Sequence, residues 1–410
     1  MTGAQRPARA RIACTALAVV LLALSVLAVS AIAKGPPRIA APAATIIDAR
    51  DGKVLYRRDA TAQRAIASAT KLMTALVALE ELPLERRVRA VSYAAGSAES
   101  RIDLQAGERM SVADLLRALL LESANDAANT LAVRASGSVD AFVARMNRKA
   151  RAMELSRTRF GNPIGLDDPG SHSSALDLAR LARRFLANDF LAGTVDMPRA
   201  RLTTGARTRI VVNRNRLIAR VPSVDGVKTG HTQTAGYVLV GSATRKGARL
   251  VSVVLGEPSE VARDEDTLAL LRYGFSLYSR RAVVRRGATV ARAAIEHYGD
   301  REARLVAARR VSVTVRRGER IRTVVVAPGT LSGPLPEGER VGTLRVYRGA
   351  RLLRSVPVTT AEAVPKAGFL RRSWTLMLAL AMVAAGIGIW IAVRRRRTGA
   401  VQLRRPARAD

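Results

Sequence analysis

Between residues 43 and 280, strand-type and helix-type periodicity alternate in an order that leaves few folds open. Ala44-Thr45-Ile46-Ile47-Asp48 and Val54-Leu55-Tyr56 flank Asp51-Gly52, a pair that adopts left-handed backbone at little cost, and they read as a β-hairpin. Helical spacing then takes over. Leu72, Ala75, Leu76 and Leu79 predict a helix from about Ser68 to Glu80, and Val112 to Leu121 predicts a second with Ser111 as its N-cap. A third runs from Val139 to Leu155, and a fourth from Ser174 to Leu186 after the turn-rich stretch Asn162 to Gly170. Strand signals return at Arg209 to Val212, Gly236 to Ala243 and Arg249 to Leu255, the last two joined by a turn at Lys246-Gly247, and a helix holding Leu268, Leu270 and Leu271 follows. Such a chain builds one sheet from strands at both its ends and covers it with helices from its middle, which is an α+β domain, here residues 43–280.

The flanking segments place that domain in a compartment. Residues 1–33 read as an export signal: Arg6, Arg9 and Arg11 precede an apolar run from Ile12 to Ala33 that closes on Ala31-Ile32-Ala33, a run whose length also suits a retained anchor. Lys34 to Pro42, with three prolines, reads as a linker. After the α+β domain, short Val-rich runs alternate with turns at Arg317-Gly318, Pro328-Gly329 and Glu337-Gly338, which predicts a small all-β domain over residues 281–365. Trp374 to Val393 is then an uninterrupted apolar stretch of bilayer-spanning length, set between Arg371-Arg372 and Arg394 to Arg397. By the positive-inside rule the basic tail, residues 394–410, is cytoplasmic and the domains before the span are outside. Cys14, the only cysteine, lies in the export segment, so the mature chain has no internal disulfide and no cysteine-based metal site.

Charge excludes one class of function. The 410 residues carry 68 basic and 33 acidic side chains, yet only seven of the basic ones are lysine, a bias that points to genome composition rather than to a surface selected for nucleic acid. Aromatics are only 4% and do not interleave with arginine runs, so base stacking has nothing to work with. An anionic polymer of the envelope does fit so basic a surface.

Three motifs carry chemistry. Ser68 opens the first predicted helix, beside unpaired N–H groups and the positive end of the helix dipole, and Lys71 follows one turn later on the same face. Serine needs a base, and a lysine whose pKa is lowered by burial or a neighbouring cation can be one. Ser-x-x-Lys alone occurs by chance about once in a chain of this size. Ser123 and Asn125 form Ser-x-Asn on the loop after the second helix, where a hydroxyl and an amide can face a cleft or simply close a turn. Lys228-Thr229-Gly230 lies where a strand should begin; its Lys and Thr can hold a carboxylate, and Gly230 leaves room for close backbone approach.

Taken in order, the three make the signature of penicillin-interacting serine acyl enzymes. Ser-Ala-Thr-Lys-Leu-Met-Thr-Ala, Leu-Leu-Glu-Ser-Ala-Asn-Asp-Ala-Ala, Gly165-Leu166-Asp167 and Val224-Asp225-Gly226-Val227-Lys228-Thr229-Gly230-His231-Thr232 narrow this further, because they resemble the low-molecular-mass penicillin-binding proteins that are D-alanyl-D-alanine carboxypeptidases. The resemblance covers roughly residues 43–372. Many relatives end in an amphipathic surface helix, whereas this chain ends in a full span. The resemblance implies attack of Ser68 on the penultimate carbonyl of a peptidoglycan stem peptide ending in D-Ala-D-Ala, release of D-Ala, and hydrolysis of the acyl-enzyme, with β-lactams as inhibitors and no cofactor. It implies Lys71 as base, Ser123 as proton relay, Asn125 as orienter of substrate and Lys71, the backbone N–H groups of Ser68 and His231 as oxyanion hole, and Lys228, Thr229, Gly230 and Arg263 as the substrate-binding site for the free carboxylate.

Rival readings are a β-lactamase or a D,D-endopeptidase with the same motifs, and a non-catalytic peptidoglycan-binding envelope protein. A class A β-lactamase deacylates through a glutamate on an omega-type loop, and Phe160 to Ser174 holds aspartates but no glutamate. His172, His231 and His297 have no Gly-x-Ser-x-Gly elbow to serve and no metal-ligand spacing, which argues against a Ser-His-Asp triad and a zinc peptidase.

Overall fold

The computed structural model describes residues 35–366 and 373–398; the export segment with Cys14, Lys34, residues 367–372 and the tail beyond residue 398 lie outside the described residues. The chain divides into two units after Ser279.

In the first unit β1 (Ala43–Asp48) pairs antiparallel with β2 (Val54–Arg58) on one side and with β9 (Ala248–Glu257) on the other, where Ala43 stands opposite Leu255. β8 (Gly236–Arg245) and β7 (Val224–Thr232) complete an antiparallel sheet in the order β2-β1-β9-β8-β7. The expected α+β fold is what the structure shows, with the sheet's centre made from the two ends of the unit.

Both faces of the sheet are covered, and the alternation along β9 shows how. Val251, Val253 and Leu255 point into a core shared with the helices of the middle segment, while Leu250 and Val254 pack with Leu270 and Leu271 of the helix that follows. The helices are α1 (Lys71–Glu81), α2 (Val112–Arg117), α3 (Asn125–Ser136), α4 (Val139–Ala152), α5 (Ala175–Phe185), α6 (Asp189–Val195), α7 (Leu217–Arg220) and α8 (Glu260–Ser276). Ser111 caps α2 as expected, accepting from the Asp114 N–H at 3.2 Å. Three short strands, β3 (Arg87–Arg89), β4 (Arg109–Ser111) and β5 (Arg199–Leu202), carry no clear sequence signal; β6 (Arg209–Val212) does, and pairs with β5.

Several boundaries differ from expectation. The first helix does not open at Ser68: Ala67–Thr70 form a 3-10 turn and α1 starts at Lys71, because Ala67 takes a left-handed φ of 46° and the turn tightens to an Ala69 N–H to Ile66 O bond. α3 has no counterpart among the expected helices. The helix expected to reach Leu155 stops at Ala152, since Glu154 turns left-handed at φ 57°. The stretch expected as a linker is docked: Ile39 and Ala41 are buried, and the Ala40 and Ala41 N–H groups donate to Asp266 Oδ2 at 2.6 and 2.9 Å.

Beside Asp266 lies Glu257, buried at the end of β9; burial first, then the Asp266 carboxylate, push its carboxyl up from 4.5 to about 8. A carboxyl raised on folding stabilises fully below its unfolded pKa, and that contribution is lost as pH climbs through the folded value. Glu257→Gln should therefore melt higher than the wild type by on the order of 5 °C at pH 8. The gap should shrink towards pH 4.5, which thermal melts across that range would check.

The second unit is all-β. β10 (Tyr278–Val284) pairs with β13 (Val311–Arg316). The remaining strands are β11 (Thr289–Ile295), β12 (Glu302–Ala307), β14 (Arg322–Val326), β15 (Thr330–Leu331), β16 (Arg340–Arg348) and β17 (Arg351–Thr360). They form a six-stranded sheet in the order β14-β16-β17-β12-β11-β15, and Leu305, Val313, Val346 and Val358 belong to the core of this unit. Gly318 and Gly338 take φ of 78° and 81° at the expected turns. Last comes α9 (Trp374–Thr398), long and apolar enough over Leu376–Arg396 to cross a membrane.

Candidate active site

The 3-10 turn, the start of α3 and the middle of β7 meet at Ser68. Lys71 is fully buried, and its Nζ donates to Ser68 Oγ at 3.1 Å, to Asn125 Oδ1 at 2.6 Å and to the Ile164 carbonyl. Three acceptors take all three donor positions of an ammonium, which fixes the amine on the serine. Burial and then the Lys228 cation hold the Lys71 pKa well below its usual range, against a weaker opposing pull from Glu99 and Asp126. An amine so placed gives up its proton more readily than an ordinary lysine and, once neutral, can accept one from Ser68.

The loop Asn162 to Gly170 presses on this turn. Asn162 Oδ1 accepts from the Gly165 N–H at 2.6 Å, and Thr74 Oγ1 donates to the Pro163 carbonyl at 2.6 Å. Gly165, at φ 84°, runs so close to the turn that a Cβ there would stand 2.2 Å from the Ala67 carbonyl oxygen. Asp167 ties the same loop to the end of β7 by accepting from Thr232 Oγ1 at 2.6 Å.

Ser123 stands at the junction of a π-turn, Ala118–Glu122, and α3, with a left-handed φ of 64°. A backbone in that region costs about 1–3 kcal/mol unless its surroundings enforce it. Here they do: Arg214 donates from its backbone to the Leu121 carbonyl at 3.1 Å and from its guanidinium to the Glu122 carbonyl and carboxylate at 3.1 and 2.6 Å. The expectation of a loop holding both Ser123 and Asn125 is corrected for Asn125, which is the first residue of α3.

Lys228 is corrected too. It sits in the middle of a nine-residue strand rather than at its start, because the β7 ladder with β8 runs from Val224 opposite Ala243 to Thr232 opposite Gly236. Its side chain is buried, with Nζ donating to the Thr229 carbonyl at 2.9 Å. Burial, then the Arg214 and Arg263 cations, lower its pKa to about 7. Gly230 does what a glycine there is expected to do: a Cβ would lie 2.9 Å from the Ser68 nitrogen.

Ser68, Ser123, Thr229, Gly230, His231 and Arg263 line one cavity of about 470 Å³. Arg263, on α8, pairs with Asp264 at 2.7 Å and Glu260 at 2.9 Å. The His231 ring lies 4.1 Å from that of Tyr237. Sequence reasoning missed Arg214 and Glu122, also on the cavity wall, and Tyr93 and Glu99 behind Asn125. Ser97 to Arg101 has neither periodicity nor a motif, so nothing local singles out Glu99.

The D-alanyl-D-alanine carboxypeptidase family matches residues 30–259, and the C-terminal domain of penicillin-binding protein 5 matches residues 278–366. D-alanyl-D-alanine carboxypeptidase DacF of Bacillus subtilis is 33% identical over 80% of this chain and 87% of its own length. Among solved structures, penicillin-binding protein 5 of Haemophilus influenzae is 28% identical with a TM-score of 0.57, covering 81% of this chain and 99% of that one. The K15 DD-transpeptidase of Streptomyces is 31% identical with a TM-score of 0.57, covering 59% of this chain and 100% of the other. With a family match over more than half its length and a relative 33% identical over 87% of that relative's length, the chain belongs to the D-alanyl-D-alanine carboxypeptidase family of serine peptidases.

Proposed function

We propose that this protein removes the terminal D-Ala from peptidoglycan stem peptides through an acyl-enzyme on Ser68. The observation that carries the reading is the buried Lys71 amine, held 3.1 Å from Ser68 Oγ by Asn125 and Ile164. Lys71 takes the hydroxyl proton as Ser68 Oγ bonds to the carbonyl carbon of the penultimate D-Ala. The amide bond then breaks, and Ser123 relays a proton to the leaving nitrogen. Backbone N–H groups of Ser68 and His231 receive the developing oxyanion. Lys228, Thr229 and Arg263 hold the free carboxylate, with Asn125 orienting the substrate amide. Water then releases the shortened peptide. β-Lactams acylate the same serine.

The chain is held on the membrane by α9, with the catalytic unit outside and the C-terminus in the cytoplasm. Arg394, Arg395 and Arg396 at the far end of the span support that orientation.

Mass spectrometry of the detergent-solubilised chain tests the reading. Incubation with diacetyl-Lys-D-Ala-D-Ala should release free D-Ala, and benzylpenicillin should leave a penicilloyl adduct on the peptide carrying Ser68. Fast penicillin turnover without D-Ala release would replace the proposal with a β-lactamase, and neither reaction would leave a binding module.

A further inference from the structure

Behind the site, and outside the three motifs, a carboxylate is clamped against Asn125. Glu99 lies on the loop between β3 and β4. Its Oε2 accepts from Asn125 Nδ2 at 2.6 Å and from the Tyr93 hydroxyl, and its Oε1 accepts from the Gly96 N–H at 2.8 Å. The loop is stitched to the start of α3 as well: Asn125 N–H donates to the Ser100 carbonyl at 2.8 Å, and the Ile102 and Leu104 N–H groups donate to Asp126 at 3.1 and 3.0 Å.

An ionised carboxylate only accepts hydrogen bonds, so the Asn125 face turned to it must be the NH2 group. The Asn125 oxygen is thereby turned to Lys71, where it accepts at 2.6 Å. With the amide reversed, two donors would face each other at the lysine. We propose that Glu99, held by Tyr93 and Gly96, is a positioning residue that fixes the Asn125 amide and, through it, the Lys71 amine on Ser68. This inference rests on the reading of Ser68 and Lys71 given above.

The carboxylate also has an electrostatic effect. Burial opposes its charge, but the bonds from Tyr93, Asn125 and Gly96 keep Glu99 below the usual glutamate pKa, so it is an anion at neutral pH. The charged groups acting on Lys71 are Lys228 from β7, Asp126 from α3 and Glu99 from the loop; only the two acids favour its protonated form.

Penicillin acylation of the full chain, followed from about pH 5 to 10, separates positioning from mere packing. In Glu99→Gln the plateau rate should fall about 10-fold, because an amide no longer dictates which way Asn125 points. The acid limb should move to lower pH by about half a unit, because an anion near Lys71 is gone. Glu99→Asp should keep the limb in place while the plateau falls. Tyr93→Phe, which keeps the charge and carries the test should Glu99→Gln not fold, should lower the plateau about threefold with the limb unmoved. A wild-type plateau in Tyr93→Phe, or a wild-type plateau and limb in a folded Glu99→Gln, overturns the inference alone. A wild type that is never acylated overturns the Ser68 reading and this inference with it.

Discussion

Lys71→Met should acylate with benzylpenicillin about 10⁴-fold more slowly than the wild type at about pH 7.5, the upper range for loss of a positioned base. Methionine approaches the lysine stem in length and removes the burden of a buried amine, so the fold should survive. What it removes is the amine 3.1 Å from Ser68 Oγ, the proposed proton acceptor. Lys71→Arg decides between basicity and charge, since a guanidinium keeps its proton at any pH the protein tolerates. It should be as slow as Lys71→Met. Stopped-flow or quenched acylation rates would check both, and an arginine variant within about tenfold of the wild type would show that Lys71 acts as a fixed cation.

Gly165→Ala should damage the site without touching a reacting group. The added Cβ meets the Ala67 carbonyl oxygen at 2.2 Å and its carbon at 2.6 Å, all backbone, and the φ of 84° is one that alanine resists. Either the loop retreats, taking the Ile164 carbonyl away from Lys71, or the 3-10 turn moves and takes Ser68 with it. A displacement of about 1 Å costs about 100-fold in rate, and the strain should lower stability by about 3 kcal/mol. Gly170→Ala, in the same loop but facing the Asp168 side chain at 3.1 Å, should cost far less. Acylation rates and denaturant melts of the pair would check this, and equal behaviour of the two variants would mean the loop does not set the Ser68 geometry.

The legible parts of this molecule are those where chemistry and local spacing coincide. Ser-x-x-Lys, Ser-x-Asn and Lys-Thr-Gly each place their side chains within a few residues, and the structure gathers all three. The early hairpin and the strands β8 and β9 have apolar alternation strong enough to read directly. α3 is hidden because Asn125-Asp126-Ala127-Ala128-Asn129-Thr130 offers polar and small residues in place of a bulky apolar stripe, although the alanines are fully buried. The extent of β7 is hidden for a related reason: Lys228, Thr229, Gly230 and His231 lack the apolar alternation of a strand, and the last three line the cavity. Glu99 depends on contacts between a loop and a helix start that no local pattern encodes.

The position of β9 in the sheet has a consequence for the order in which the fold is completed. A chain grown only as far as Arg245 already holds Ser68, Lys71, Ser123, Asn125, Lys228 and His231, yet the β1-β2 hairpin and the β7-β8 hairpin have no ladder in common until Ala248–Glu257 inserts between them. The turn that carries Ser68 rests on the β7 side of that divide. The sheet behind the Ser68 turn is thus closed only by its last-made central strand, after all of these motif residues are already in the chain.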